Sequence, residues 1–220
     1  KGIEMKQKPK IVVVGSGVIG ASIALSCLNL GAELLVLERD KLGGAASSNS
    51  FGWINASFAE SPAYFDLRNA AVNTFRNLKT ELNLKESVSW QGTLWWEESG
   101  QELKKQFNDF LERGYSAKLL NSNEIKNLEP NLKDVPEAAI FTPLEGAAEA
   151  DRVALAMLRK LTDEGGKVIS GCAVEGLKFK KDRVSSVQTN IGEMSCDMVV
   201  LATGAAAEKG LLGCEWQLPM

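Results

Sequence analysis

The segment IVVVGSGVIGASIALSCLNLGAELLVLERD, Ile11 to Asp40, constrains the fold more than any other part of the chain. Ile11–Val14 is an unbroken apolar, β-branched run, the pattern of a strand buried on both faces of a parallel sheet. Gly15, Gly17 and Gly20 follow at GxGxxG spacing and lead into Ala21–Leu30, rich in helix formers, which Gly31 stops. Leu34–Leu37 reads as a second strand, closed by Glu38 eighteen residues beyond Gly20. Strand, helix and strand in this order predict an α/β fold around a parallel sheet.

Each glycine has a mechanical reason. Gly15 permits the tight turn, Gly17 lets a pyrophosphate approach the backbone, and Gly20 lets helix and strand pack closely. Phosphates would meet the free N–H groups and positive dipole end of the helix, and Glu38 would accept hydrogen bonds from a ribose. A glycine turn without a ligand is the bland alternative. It is outweighed because strand, helix and acid all stand where a dinucleotide requires them.

The bound group must carry the chemistry. The 220 residues contain no histidine, which removes Ser-His-Asp and Cys-His catalysis and the commonest zinc ligand. Cys27, Cys172, Cys196 and Cys214 lie far apart with no CxxC pair, so small core residues in a reducing, cytoplasmic setting are expected, and no metal site. A net charge of −3 offers no field for nucleic acid; the cluster Lys1, Lys6, Lys8 and Lys10 reads as a solvated lead. No run approaches the roughly 18 apolar residues of a membrane span, and nothing resembles a signal peptide. Met5 would make a natural start.

The choice between NAD and FAD turns on the segment after Asp40. An NAD domain would continue with alternating strands and helices, whereas here comes KLGGAASSNSFGWINASFAE, small residues and then aromatics. Gly43–Ser50 suits a loop and helix start pressed against a cofactor. A helix is expected over Ser61–Leu82 with apolar positions at Phe65, Ala70, Val72, Phe75 and Leu78, then a strand over Ser89–Trp96 and a helix over Gln101–Arg113. Ala117–Leu120 (strand), a short helix capped by Ser122, and Ala138–Thr142 (strand) complete a mixed α/β lobe. Asp151 is expected to cap a helix through Leu161. Val168-Ile169 then reads as a third parallel strand, Ala173–Phe179 and Arg183–Thr189 as a hairpin, and Met198–Leu201 as a buried strand ending in Ala202-Thr203-Gly204. Trp90 and Trp96 would share one strand face opposite Trp95, as sheet-packing residues rather than an amine cage. Arg152 reads as a salt-bridge partner.

The motifs GSGVIG, ER followed by GGAASSNSFGW, and VVLATGA resemble the D-amino-acid oxidase superfamily of FAD-dependent oxidoreductases, in its glycine oxidase, sarcosine oxidase and D-amino-acid dehydrogenase branch. The resemblance implies a Rossmann-like FAD-binding domain of glutathione-reductase type, interrupted by a mixed α/β substrate lobe. Its parts would be residues 1–85 and 149–220 for FAD and 86–148 for the lobe. It implies that Val18 and Ile19 lie under the pyrophosphate, with Ala46 and Ser47 beside it, and that Glu38 and Arg39 hold the ribose and adenine edge. Phe51, Gly52 and Trp53 would line the isoalloxazine ring, and the backbone of Val174 would contact adenine.

By the same resemblance the reaction is oxidation of the C–N bond of a small amine or amino acid by hydride transfer to FAD. Relatives are longer, so a C-terminal part is expected to be missing, and the chain alone to hold FAD weakly and turn over no amine. A homo-oligomer or a complementary C-terminal chain is the expected partner. The alternative is a non-catalytic FAD-binding or assembly subunit completed by another polypeptide; an NAD-dependent dehydrogenase would leave GGAASSNSFGW and the ATG strand without a role.

Overall fold

A computed structural model describes residues 8–209. Lys1, Met5, Lys6, Cys214 and the segment Gly213–Met220 lie outside the described residues. The chain divides into two compact units, one formed by residues up to Ser50 with those from Glu149 onward, the other by Phe51–Ala148.

The first unit opens with β1 (Lys10–Val14), α1 (Val18–Asn29), β2 (Glu33–Glu38) and the single turn α2 (Ala45–Ser48). α1 begins three residues earlier than its composition suggests, directly at Gly17.

The second unit contains β3 (Trp53–Ile54), α3 (Pro62–Glu81), β4 (Val88–Ser89), β5 (Thr93–Trp95), α4 (Gly100–Glu112), β6 (Lys118–Asn121), α5 (Ser122–Leu128), β7 (Ala138–Thr142) and β8 (Gly146–Ala148). Two small antiparallel sheets, β3-β8-β4 and β5-β7-β6, and the apolar faces of α3 and α4 enclose a core of Ala56, Phe65, Val72, Leu103, Phe110, Tyr115 and Ile140. Because Phe65 and Val72 belong to that core, the unit begins at Phe51 rather than at residue 86. Of the apolar positions of α3, Phe65 and Val72 are buried and Ala70 is exposed.

Two further expectations do not hold. Ser89–Trp96 is not one strand: Gly92 (φ 82°) breaks it, and β4 and β5 join different sheets, so Trp90 and Trp96 share no strand face. A side chain at 92 would also strike the Phe141 ring, whose Cε2 lies 2.4 Å from the Cβ position. Asn121, not Ser122, caps α5. Its side chain accepts from Asn123 N (3.0 Å) and Glu124 N (3.1 Å), while Glu124 accepts from Asn121 N (2.9 Å), a capping box. Ser122 Oγ donates to the Pro136 carbonyl instead (2.9 Å).

The chain then returns to the first unit with α6 (Ala150–Asp163), β9 (Lys167–Ser170), β10 (Val174–Lys180), β11 (Arg183–Thr189), β12 (Gly192–Ser195), β13 (Met198–Leu201) and a 3-10 turn at Gly204–Lys209. Glu149, not Asp151, occupies the cap position of α6 and makes no side-chain cap bond; its carboxylate pairs with Arg152 (2.9 Å). Asp151 lies in the first turn, where its charge complements the helix dipole.

The parallel sheet has the order β13-β1-β2-β9, with Val13 opposite Val36 and Val200. Side chains alternate across it. Val12, Val14 and Leu37 pack against Val187, Leu177 and Met194 of the antiparallel β10-β11-β12 sheet, with Cys172 and Cys196 in the same cluster. α1 packs on α6 through small and apolar residues, Ala21, Ala24 and Leu25 buried on one helix and Val153, Ala154 and Met157 on the other. β13 departs from the reading of a buried strand. It pairs with β1 alone among the described residues, and Met198 and Leu201 are 52% and 41% exposed.

Candidate cofactor site

At the C-terminal edge of the parallel sheet the backbone is bound across three strands. Gly15 N–H donates to Leu37 O (2.8 Å) and Ala202 N–H to Val14 O (2.8 Å). Gly15 (φ 105°) must be glycine, because a Cβ there would stand 2.3 Å from the Ala202 carbonyl oxygen. Gly20 is held equally tightly: its Cβ would lie 2.1 Å from the Gly15 oxygen. The helix therefore seats against the turn itself.

Gly17 differs in kind. Its φ of −65° and ψ of 175° suit any residue, and the atoms nearest to an added Cβ are Ser47 Oγ at 3.4 Å and Gly44 Cα at 3.9 Å. Nothing in the protein's own packing demands a glycine there. Across from it, Gly44 (φ 75°) would drive a Cβ to 2.7 Å from Gly17 Cα, so two bare backbones face each other. Ser47 Oγ accepts the Val18 N–H (3.1 Å), tying the loop to the first turn of α1. That turn carries no acidic residue, and Ile19 is 65% exposed in it. A positive helix end beside side-chain-free backbone is what a diphosphate needs.

Glu38 closes β2 with its carboxylate held. Oε2 accepts from Ser16 N–H (2.9 Å) and Ser16 Oγ–H (2.7 Å), and Oε1 from Asp40 N–H (3.0 Å). Ser16 Oγ in turn accepts from Gly43 N–H (3.2 Å), so one fully buried hydroxyl joins the glycine turn, the acid and the small-residue loop. Sequence reasoning misses Ser16; its signal is a hydroxyl residue between the first two glycines. Arg39 is exposed and bonded to Asp40 (2.8 Å), which raises its already high pKa through that hydrogen bond and charge. Cys172 N–H bonds the Glu38 carbonyl (2.9 Å), and Val174 follows two residues later, past the end of the β2–β9 pairing. Ala46 is exposed, Ala202 and Thr203 are half-buried, and Gly204 (φ 57°) starts the 3-10 turn. The structure thus gathers Gly15, Gly17, Val18, Gly20, Glu38, Ser47 and Ala202 around one sheet edge.

Phe51, Gly52 and Trp53 belong to the second unit. Phe51 is 83% exposed, with its ring 6.4 Å from that of Trp53. Gly52 lies hard against β8, where a Cβ would be 1.8 Å from the Ala148 oxygen. Trp53 Nε1–H donates to Thr93 Oγ1 (2.9 Å) and to Glu145 Oε2 (3.1 Å). Glu145 is fully buried and also accepts from Ser57 N–H and Tyr115 Oη–H, each at 3.1 Å. Burial, and then the Glu145 charge, push the Tyr115 phenol well above its ordinary value. The Arg76 guanidinium covers the Trp90 ring at 4.1 Å and the Trp95 ring lies tilted against Phe58 at 4.7 Å, so these tryptophans serve packing.

Comparison with known proteins adds the family. The family DAO, FAD dependent oxidoreductase, matches residues 10–219. D-amino acid dehydrogenase 2 of Mesorhizobium japonicum is 28% identical over 167 residues, covering 73% of this chain and 35% of its own length. The mitochondrial pyruvate dehydrogenase phosphatase regulatory subunit of Mus musculus is 23% identical over 216 residues, covering 95% of this chain and 24% of its own length. Among solved structures, L-proline dehydrogenase from P. horikoshii superposes with a TM-score of 0.83 at 25% identity, over 98% of this chain and 58% of that one. The chain therefore spans only part of the length of each of these relatives.

Proposed function

The chain belongs to the DAO family of FAD-dependent oxidoreductases, and from that premise we propose that it forms the dinucleotide-holding part of an enzyme that oxidises the C–N bond of an amino acid or small amine. FAD, when bound, supplies the hydride acceptor. The chain's own residues bind and orient it. Gly17 and Gly44 leave room for the pyrophosphate at the first turn of α1, beside Val18, Ile19, Ala46 and Ser47. Glu38, steadied by Ser16, accepts from the adenosine ribose, with Arg39 and the Val174 backbone at the adenine. Ala202, Thr203 and Gly204 border the same edge, and Phe51, Gly52 and Trp53 face the ring system.

The observation that carries this reading is Gly17: the fold tolerates a side chain there, so a glycine is explained by a ligand that needs the space. Relatives carry sequence beyond the matched part. We propose that equivalent residues, from the same polypeptide, a second copy or a companion chain, complete the substrate side. The free cysteines Cys27, Cys172 and Cys196 suit a reducing compartment, and we propose the cytoplasm.

A second reading, a flavin-binding subunit without turnover, draws on the likeness to the phosphatase regulatory subunit. One experiment separates the two. The FAD-loaded protein, supplied with the residues that complete its substrate side, is mixed anaerobically with D- and L-amino acids and N-methyl amines, and the visible flavin bands are followed. Bleaching by any of them supports the oxidoreductase; bands that persist against the whole panel support the subunit.

A further inference from the structure

Glu145 is a carboxylate with no exposed surface, in the turn between β7 and β8. Burial penalises a charged group unless hydrogen bonds offset the lost solvation. Among the described residues no salt bridge reaches Glu145. Its compensation is three donors, unevenly shared. Oε1 takes Ser57 N–H and Tyr115 Oη–H, and Oε2 takes the indole N–H of Trp53. Tyr115 is itself fixed, since its oxygen accepts the Ala56 N–H at 3.3 Å. A leucine would seal such a core at lower cost, so the acid at 145 is explained by what it orients. The group on its less crowded oxygen is Trp53, half-buried, its ring 6.0 Å from that of Phe58 and 6.4 Å from that of the exposed Phe51.

We propose that Glu145 is a positioning residue: it fixes the orientation of the Trp53 indole and thereby the aromatic surface offered to the flavin ring. This rests on the reading that Trp53 faces that ring. The uneven sharing of donors supplies a selective probe. In Glu145→Gln the amide has one oxygen, and two donors claim it on the Ser57 and Tyr115 side. Its NH2 group then meets the Trp53 N–H donor to donor. The loop should stay in place while the indole loses its charged acceptor and keeps only the neutral Thr93 Oγ1 (2.9 Å), which on this proposal does not fix its orientation by itself.

The test uses the FAD-loaded protein as parent, Glu145→Gln, Trp53→Phe and the double variant. Visible absorption and circular dichroism of the flavin are read, with near-ultraviolet dichroism for the indole and ADP affinity as a folding control. Glu145→Gln should lose most of the Trp53 near-ultraviolet band and reproduce most of the flavin-band change seen in Trp53→Phe. The double variant should match Trp53→Phe alone, and ADP affinity should stay within about twofold throughout, as for a site that does not couple to the mutation.

A Glu145→Gln protein that keeps the parent's Trp53 band, or a double variant that adds to Trp53→Phe, overturns the proposal. Unchanged flavin bands in Trp53→Phe overturn the ring-facing reading instead, and the near-ultraviolet band still decides whether Glu145 holds the indole. Should Glu145→Gln not fold, Thr93→Val removes the competing acceptor while keeping shape. An unchanged Trp53 band there supports Glu145 as the determinant, and its loss assigns the orientation to Thr93 and refutes the proposal.

Discussion

Gly20→Ala sets two physical effects against each other. Gly20 lies in the first turn of α1, and by helix propensity alone alanine would stabilise by about 1 kcal/mol. The new Cβ, however, would stand 2.1 Å from the Gly15 carbonyl oxygen and 3.3 Å from the Ala202 Cβ. A carbon–oxygen contact needs about 3.3 Å, so the turn would have to move by roughly 1 Å. The atom in the way is backbone, bound into the β1–β2 connection through Gly15 N–H and Leu37 O, and cannot rotate aside. Overpacking of this kind costs about 1–3 kcal/mol and sometimes more. With the contact more than 1 Å too short the upper end applies, so the clash wins and we expect a net loss of about 2 kcal/mol, or a Tm lower by about 4–8 °C for a chain of this size. Thermal and urea unfolding followed by circular dichroism measure it. A Gly20→Ala protein as stable as the parent, or more so, would refute the close seating of the helix on the turn.

Neighbouring contacts support further expectations. Glu38→Ala should weaken FAD binding by about tenfold to a hundredfold, from about 1.5–3 kcal/mol of charge-assisted hydrogen bonding; flavin fluorescence titration of the folded variant reads it, and an unchanged dissociation constant removes Glu38 from the site. Tyr115→Phe should cost about 1–3 kcal/mol in urea unfolding, since Glu145 and the Ala56 N–H each lose a buried partner; no loss would mean that the network is not made. Glu193 accepts from Lys178 and from Ser186 (2.6 Å), and these bonds lower its pKa. Its contribution to the β10-β11-β12 sheet is therefore present above the unfolded value of about 4.3 and fades as pH falls through the lowered native value. Carboxyl NMR titration should show Glu193 protonating below the ordinary glutamate value, and Lys178→Gln should raise it; a Glu193 that titrates at the ordinary value contradicts the contact.

Residues 11–40 are legible because three signals of different origin coincide there: β-branched runs, glycine spacing and a terminal acid. Structure adds the distinction that spacing alone does not make, that Gly15 and Gly20 are demanded by the protein and Gly17 is not. The second unit is harder to read because its strands are short and change partners. Ser89–Trp96 has strand composition, yet Gly92 sends its two ends to separate sheets. β8, Gly-Ala-Ala, has no strand propensity at all; it forms because small residues let β3 and β4 close on it from both sides, with Gly146 hard against the Ser89 carbonyl. β13 has the composition of a buried strand and takes an edge, since composition carries no information about which strands lie beside it. Glu145 is a single acid in a turn, and nothing periodic marks it; only the convergence of Trp53, Ser57 and Tyr115 reveals it.

Gly17→Val is the sharpest probe of the dinucleotide site, because it separates ligand from fold. The extended backbone at Gly17 accepts a Cβ, whose nearest atoms beyond the adjacent residues are Ser47 Oγ at 3.4 Å, the end of a rotatable side chain, and Gly44 Cα at 3.9 Å. Parent and variant are titrated with FAD after their unfolding transitions have been compared. The transitions should lie within about 1 kcal/mol of each other, the cost of replacing a glycine at a helix cap, with FAD affinity lower by at least about a hundredfold, or roughly 2.7 kcal/mol. A folded Gly17→Val protein that binds FAD as tightly as the parent would place the pyrophosphate elsewhere and contradict the assignment of this glycine turn to the cofactor.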